Sequence, residues 1–185
     1  MGNNNKQLKL SRDQIETVVA LYSKGQFQEV IDKIKALNED YPNVPLLFNL
    51  IGACYKELGQ LEGAAKMFER AISLKLDYAE AHYNLGVAFQ RLLQLDKALE
   101  FYEKAITFKH AYPVAHNNQG LIFLGRGQLD SSIKSFEWAI AYSPEYAEAH
   151  NNLGAAFQEL KQYQKAMSQF EKAVTLNPGY AQAFH

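Results

Sequence analysis

His82, His116 and His150 recur at 34-residue intervals, and imidazole nitrogens are common zinc ligands. A shared ion would need every nitrogen within about 2.1 Å of the metal. Residues one period apart on packed helices stand on the order of 10 Å from one another. The three are therefore expected to pack near a helix–helix interface, where the preceding repeat carries Phe48 in the same register. Gly120 to Gly127, GLIFLGRG, has the outline of a phosphate-binding loop, yet Arg126 and Gly127 stand where Lys and Ser or Thr are required. Cys54 is the single cysteine, which excludes an intramolecular disulfide. Its counterparts one period away are Ala20 and Ala88, so it reads as a small core residue. No nucleophile, base and orienting group form a recognisable motif. The reading is of a chain that is not an enzyme, with no catalytic residues, no metal and no cofactor.

The elements that would position any site follow from the same period. Gly52, Gly86, Gly120 and Gly154 lie 34 residues apart and open the blocks IGACY, LGVAF, QGLIF and LGAAF. Ala64, Ala98, Ser132 and Ala166 share a second register, Phe68, Tyr102, Phe136 and Phe170 a third, and Ala71, Ala105, Ala139 and Ala173 a fourth. Leu85 and Phe89 are four apart, while Ala98, Tyr102 and Ala105 are four and three apart, the spacing of an apolar helical stripe. Each repeat thus predicts two helices. Gly and Ala remove bulk so that the pair can approach, and the aromatic ring fills the gap alongside. Gly25, Gly59 and Gly127 mark the turn between the two helices, with Gln26, Gln60, Gln94, Gln128 and Gln162 just after it. Leu93 and Lys161 replace that glycine, implying that positive φ is not required at every turn. Pro42, Pro144 and Pro178 end second helices. Leu76 and His110 occupy the same register, so those two junctions are expected to be nearly continuous.

Over Ser11 to Tyr180 these registers resemble the tetratricopeptide repeat (TPR). The expected fold is all-α, a right-handed superhelical solenoid of antiparallel helix pairs. Its domain spans 11–180, with repeats 11–44, 45–78, 79–112, 113–146 and 147–180. A flexible N-terminal tail covers 1–10, and 181–185 begins an incomplete sixth repeat. Val18 stands where the other blocks have Gly and Val30 where they have Ala or Ser, as befits an N-terminal cap.

In repeats of this kind the first helices line a concave groove. Removing the packing registers at His82, Leu85, Gly86 and Phe89 leaves Glu80, Tyr83, Asn84, Val87, Gln90 and Arg91 on that wall, with their equivalents, Gln158 among them, forming a repeating strip. Asn84, Asn118 and Asn152 share one register; Asn49, Asn117 and Asn151 share its neighbour. Asparagine costs about 0.5–0.7 kcal/mol relative to alanine within a helix, so six would cost on the order of 3–4 kcal/mol without compensation. A carboxamide both donates and accepts, and so can pair with the backbone of an extended peptide. Alternatively, the amides bond to neighbouring helices and merely order the array. The ladder and the phrases AEAHYNLG and AEAHNNLG are similar to the repeat region of O-linked N-acetylglucosamine transferases. That resemblance implies a peptide-holding role for Asn84, Asn118 and Asn152. The carboxylate clamp known in this fold would need cations where the chain has Ile15, Val19, Leu46, Asn49 and Leu50. Trp138 replaces the Arg70, Lys104 and Lys172 of its register, and so reads either as an outer-face contact or as an isolated exposed aromatic.

A formal net charge of -1 gives no cationic surplus for phosphates or anionic lipid, so neither nucleic acid nor membrane is an expected partner. The longest apolar region, Val44 to Tyr55, is broken by Asn49 and too short to cross a bilayer. A cytoplasmic interaction scaffold binding a protein or peptide is expected, with a homo-oligomer through the uncapped C-terminal face as a further possibility. The alternative is an N-terminal targeting or oligomerisation region of a larger enzyme, a glycosyltransferase or a bacterial repeat-containing sulfotransferase.

Overall fold

The computed structural model describes residues 10–179. The expected tail therefore lies outside the described residues except for Leu10, and the start of a sixth repeat lies outside them entirely. Ten helices are present among the described residues: α1 (Arg12–Ser23), α2 (Phe27–Asp40), α3 (Pro45–Glu57), α4 (Leu61–Leu74), α5 (Ala79–Arg91), α6 (Leu95–Phe108), α7 (Pro113–Gly125), α8 (Leu129–Tyr142), α9 (Ala147–Glu159) and α10 (Tyr163–Leu176). None of these residues forms a strand. The all-α expectation holds. The chain divides into two compact units, Met1–Gln94 and Leu95–His185.

In the first unit α1 packs on α2, α2 on α3, α3 on α4 and α4 on α5. Its core gathers Val18, Val30, Ile31, Ile34, Leu37, Leu47, Ile51 and Cys54. Leu10 packs against this core, so it belongs to the folded body. Ser11 caps α1 in a reciprocal capping box with Gln14. In the second unit α6 packs on α7, α7 on α8, α8 on α9 and α9 on α10. Phe136, Leu153, Ala156, Phe157 and Ala166 form its core cluster.

The packing inferred from Gly and the aromatic register is present. A Cβ built on Gly52 would lie 2.6 Å from Phe68 Cε1, one on Gly120 2.4 Å from Phe136 Cε1, and one on Gly154 2.6 Å from Phe170 Cε1. Each ring therefore lies on the bare backbone of the facing helix. Ser132, which replaces Ala in its register, donates its hydroxyl to the Gly120 carbonyl at 2.9 Å.

Two expectations fail. Leu93 and Lys161 both have φ of 59°, alongside 73° at Gly25, 75° at Gly59 and 69° at Gly127. The following glutamine explains the shared geometry. Its N–H bonds the carbonyl five residues back, as in Gln60 N to Tyr55 O (2.8 Å), Gln94 N to Phe89 O (2.9 Å) and Gln162 N to Phe157 O (2.9 Å). That closure is the Schellman motif, which needs a left-handed residue whatever its side chain. The junctions at Leu76 and His110 are also fully broken. Residues 75–78 and 109–112 separate helices just as 41–44 and 143–146 do. Lys75 and Ser143, the residues that close α4 and α8, share φ of -145° and an extended ψ, so the break does not depend on proline.

Candidate functional site

Two of the three histidines tie the loop before a first helix to that helix. His82 Nε2 meets the Leu76 carbonyl at 2.9 Å, and His150 Nε2 meets the Pro144 carbonyl at 3.0 Å. His116 lies beside the backbone of His110, again six residues earlier, but its buried Nε2 makes no hydrogen bond. All three rings are buried, as expected of packing residues. No group of three His, Cys, Asp or Glu among the described residues could hold a metal ion. Residues 120–125 of GLIFLGRG are helical, and Arg126 pairs with Asp96 at 2.8 Å, so the segment forms no phosphate cradle. Cys54 is fully buried, and desolvation together with the charge of Glu57 pushes its thiol pKa up to about 11. It is not a nucleophile at neutral pH.

The asparagines separate into two kinds. In the first unit Asn84 donates from Nδ2 to Asn49 Oδ1 at 3.1 Å, and Asn49 donates in turn to the Tyr78 hydroxyl at 3.5 Å. In the second unit Asn152 donates from Nδ2 to Asn117 Oδ1 at 3.0 Å, and Asn117 Nδ2 donates to Glu148 Oε1 at 3.1 Å. Both amide pairs are 35 residues apart, joining neighbouring first helices across one register step. Asn49 and Asn117 are buried, Asn117 to 0% exposure, whereas Asn84, Asn118 and Asn152 are half-buried. Asn117 is sealed from solvent and serves as a partner for Asn152 and Glu148. Asn118 donates to the Tyr102 hydroxyl at 3.3 Å. Asn151 is half-buried, and its Oδ1 is sealed from solvent without a hydrogen-bond partner.

Bonds between neighbouring first helices, one of the two expectations for the ladder, are thus present. One N–H of Asn84 and one of Asn152 is spent on a neighbour, which fixes the plane of each carboxamide. Tyr83 and Gln90 stand half-buried on α5, the same helix as Asn84. Gln158 is exposed and borders an open depression with Met167, Phe170 and Val174. Glu148, Tyr78 and Tyr102 are the partners that sequence reasoning missed. They sit 31, 29 and 16 residues from the amides they hold. Their registers do repeat, as Glu80 with Glu148, Tyr78 with Tyr112 and Tyr146, and Tyr102 with Phe68, Phe136 and Phe170, so the periodicity carried a signal for them.

Near the N-terminus the same wall is apolar. Ile15 of α1 and Leu46 and Leu50 of α3 line one small cavity with Leu10, so no cation cluster for a carboxylate exists there. Trp138, 46% exposed, lies close to parallel with Tyr142 at 5.7 Å and with the buried His116 at 6.3 Å. It is one ring of a three-ring cluster, neither isolated nor fully displayed. No helix among the described residues is long and apolar enough to cross a membrane.

Comparison with known proteins agrees with this architecture. Family models described as tetratricopeptide repeat match residues 117–181 and 79–112, and one described as TPR repeat matches 52–92. The peroxisomal targeting signal receptors of Candida glabrata and Saccharomyces cerevisiae are each 33% identical over 66 residues, 36% of this chain. The chain spans 11% of the length of each receptor. A crystal structure of MamA superposes with a TM-score of 0.78 at 23% identity, covering 95% of this chain and 99% of that one. The crystal structure of YrrB, a TPR protein with an unusual peptide-binding site, superposes with a TM-score of 0.72 at 22% identity, covering 98% and 92%. At such identities the likeness shows the shared fold.

Proposed function

Because the chain is built from tetratricopeptide repeats, we propose that it is a protein-interaction scaffold that holds extended peptide through its first helices, reading backbone rather than side chain. The observation that carries this is the repeated carboxamide pair. Asn49 orients Asn84 in one unit and Asn117 orients Asn152 in the other, so that each outer amide presents a donor and an acceptor together. Burying Asn117 completely is costly unless its bonds have a use, and its use is to hold Asn152 in one plane. The unusual peptide-binding site of YrrB, a TPR protein of the same fold, supports the same reading.

Replacing Asn84, Asn118 and Asn152 together by alanine tests it. Each amide-to-backbone bond is worth about 0.5–1.5 kcal/mol net, so the triple variant should bind tenfold or more weakly, on the order of 2 kcal/mol or greater. A synthetic peptide library, with matching peptides N-methylated on the backbone, supplies the ligands. The variant should keep its helical circular dichroism, and N-methylation should weaken binding to the native protein. Undiminished affinity in the triple variant would remove the peptide-holding role.

A further inference from the structure

The two units differ in the charge of their first-helix walls. α7, PVAHNNQGLIFLG, carries no charged residue, and α9, AEAHNNLGAAFQE, carries Glu148 and Glu159 and no Lys or Arg. The α3 and α5 wall is balanced, with Lys56 and Arg91 against Glu57 and Glu80. There Arg91 Nη1 donates to the Lys56 carbonyl at 3.3 Å. In the second unit the carboxylates have no cation on their own wall.

Glu148 is exposed, yet it does not wave in solvent, because Oε1 accepts from Asn117 Nδ2 at 3.1 Å. Asn117, wholly buried, holds Asn152 with its oxygen and Glu148 with its nitrogen. A single interior amide thereby fixes two outward groups one helical turn apart on α9. Residues four apart on a helix have Cβ atoms about 5–6 Å from each other. Same-side side chains of an extended strand are about 6.6 Å apart. A peptide whose backbone bonds Asn152 can thus place a nearby side chain over Glu148. The second carboxylate oxygen, Oε2, is the acceptor offered to it.

We infer that the second unit is selective for a basic segment: Glu148 accepts a Lys or Arg side chain of an extended peptide whose backbone is held at Asn152. This rests on the peptide-holding reading above and adds the chemistry of the occupant. Charge complementarity favours that occupant over acidic or neutral peptides. The contact is solvent-accessible, so its preference should be modest and weakened by salt.

The test uses the whole chain and three N-acetylated, C-amidated octapeptides of sequence AAXAAXAA, with X as lysine, acetyl-lysine or glutamate. Binding is followed through the side-chain NH2 signals of Asn84, Asn118 and Asn152 in nitrogen-15 NMR. The lysine peptide should bind about twofold to fivefold more tightly than the acetyl-lysine peptide at low salt, an advantage that shrinks at high salt. Glu148→Gln keeps an acceptor for Asn117 and should abolish the advantage while leaving the acetyl-lysine peptide unaffected. Equal affinity for all three peptides, with the amide signals shifted, would refute the basic preference and leave the groove standing. Persistence of the lysine advantage in E148Q would refute Glu148 as its source. If no peptide moves the amide signals, the peptide-holding reading fails, and this inference with it.

Discussion

Gly120→Ala adds one methyl group at a helix contact tighter than those of Gly52 and Gly154. The new Cβ would stand 2.4 Å from Phe136 Cε1, 2.6 Å from Cδ1 and 2.9 Å from Cζ, against the 3.5–4.0 Å at which carbon atoms attract. Ring or helix must retreat by about 1 Å. Phe136 has no room for this, being fully buried in a cluster with Leu153, Ala156 and Phe157. Overpacking of this kind costs about 1–3 kcal/mol, and a clash this deep belongs at the upper end. Alanine returns about 1 kcal/mol of helix propensity, leaving a net loss of about 2 kcal/mol. Gly154→Ala makes a nearly equal contact, 2.6 Å to Phe170 Cε1, but Phe170 on α10 is only half-buried and can yield, so about 1 kcal/mol or less is expected. Gly125→Ala meets nothing within 4 Å and should stabilise by a few tenths of a kcal/mol. Urea unfolding followed by circular dichroism gives the ranking. Amide exchange in α7 locates the loss, which matters because repeat arrays do not always unfold as one unit. If G120A proved as stable as G154A, or as stable as G125A, bare backbone under an aromatic ring would not explain the glycine register.

Two more outcomes follow from backbone and burial. Leu93→Gly should raise stability by about 0.5–1 kcal/mol, because left-handed geometry costs a non-glycine about 1–2 kcal/mol and glycine's chain entropy takes back about half of that. Leu93 is 83% exposed, so little packing is lost, and Lys161→Gly should behave alike; an unchanged or lower urea midpoint in both would sink the argument. Burial outweighs the influence of the His110 backbone and lowers the His116 pKa below its usual 6.5. The unfolded chain therefore binds the proton more readily than the native one. Stability should fall as pH drops from about 6.5 toward the lowered native value, and be unaffected by this group above 6.5. His116→Phe, the residue type of the Phe48 register, should flatten that dependence; a His116 NMR titration at or above 6.5 would refute it.

How much of this could be read in advance depended on distance along the chain. Helix pairing was legible because its determinants recur at fixed spacing, and Gly120 over Phe136 or Ser132 beside Gly120 needed only the register. Leu93 and Lys161 misled because side-chain type was taken to report φ. The closure made by the backbone N–H of Gln94 and Gln162 sets φ instead, and that bond does not depend on the side chain at Leu93 or Lys161. Leu76 and His110 misled in the same way, since proline reinforces a break that the packing of the next helix already imposes. The ladder was legible as a pattern but not in its division of labour. Whether an amide faces inward depends on a neighbour 35 residues away, so the buried Asn117 looks identical in sequence to the half-buried Asn118.

The two amide pairs, each linking a residue to one 35 positions earlier, bear on how such an array can be recombined. Gly52 with Phe68, Gly120 with Phe136 and Gly154 with Phe170 make the same contact, so the glycine and aromatic registers survive excision of one whole module. The polar couplings are not conserved in this way. Removing 45–78 would bring Asn84 opposite Ile15, a hydrocarbon with nothing to accept its proton. Modules that look interchangeable are therefore ordered: this deletion would strand a donor.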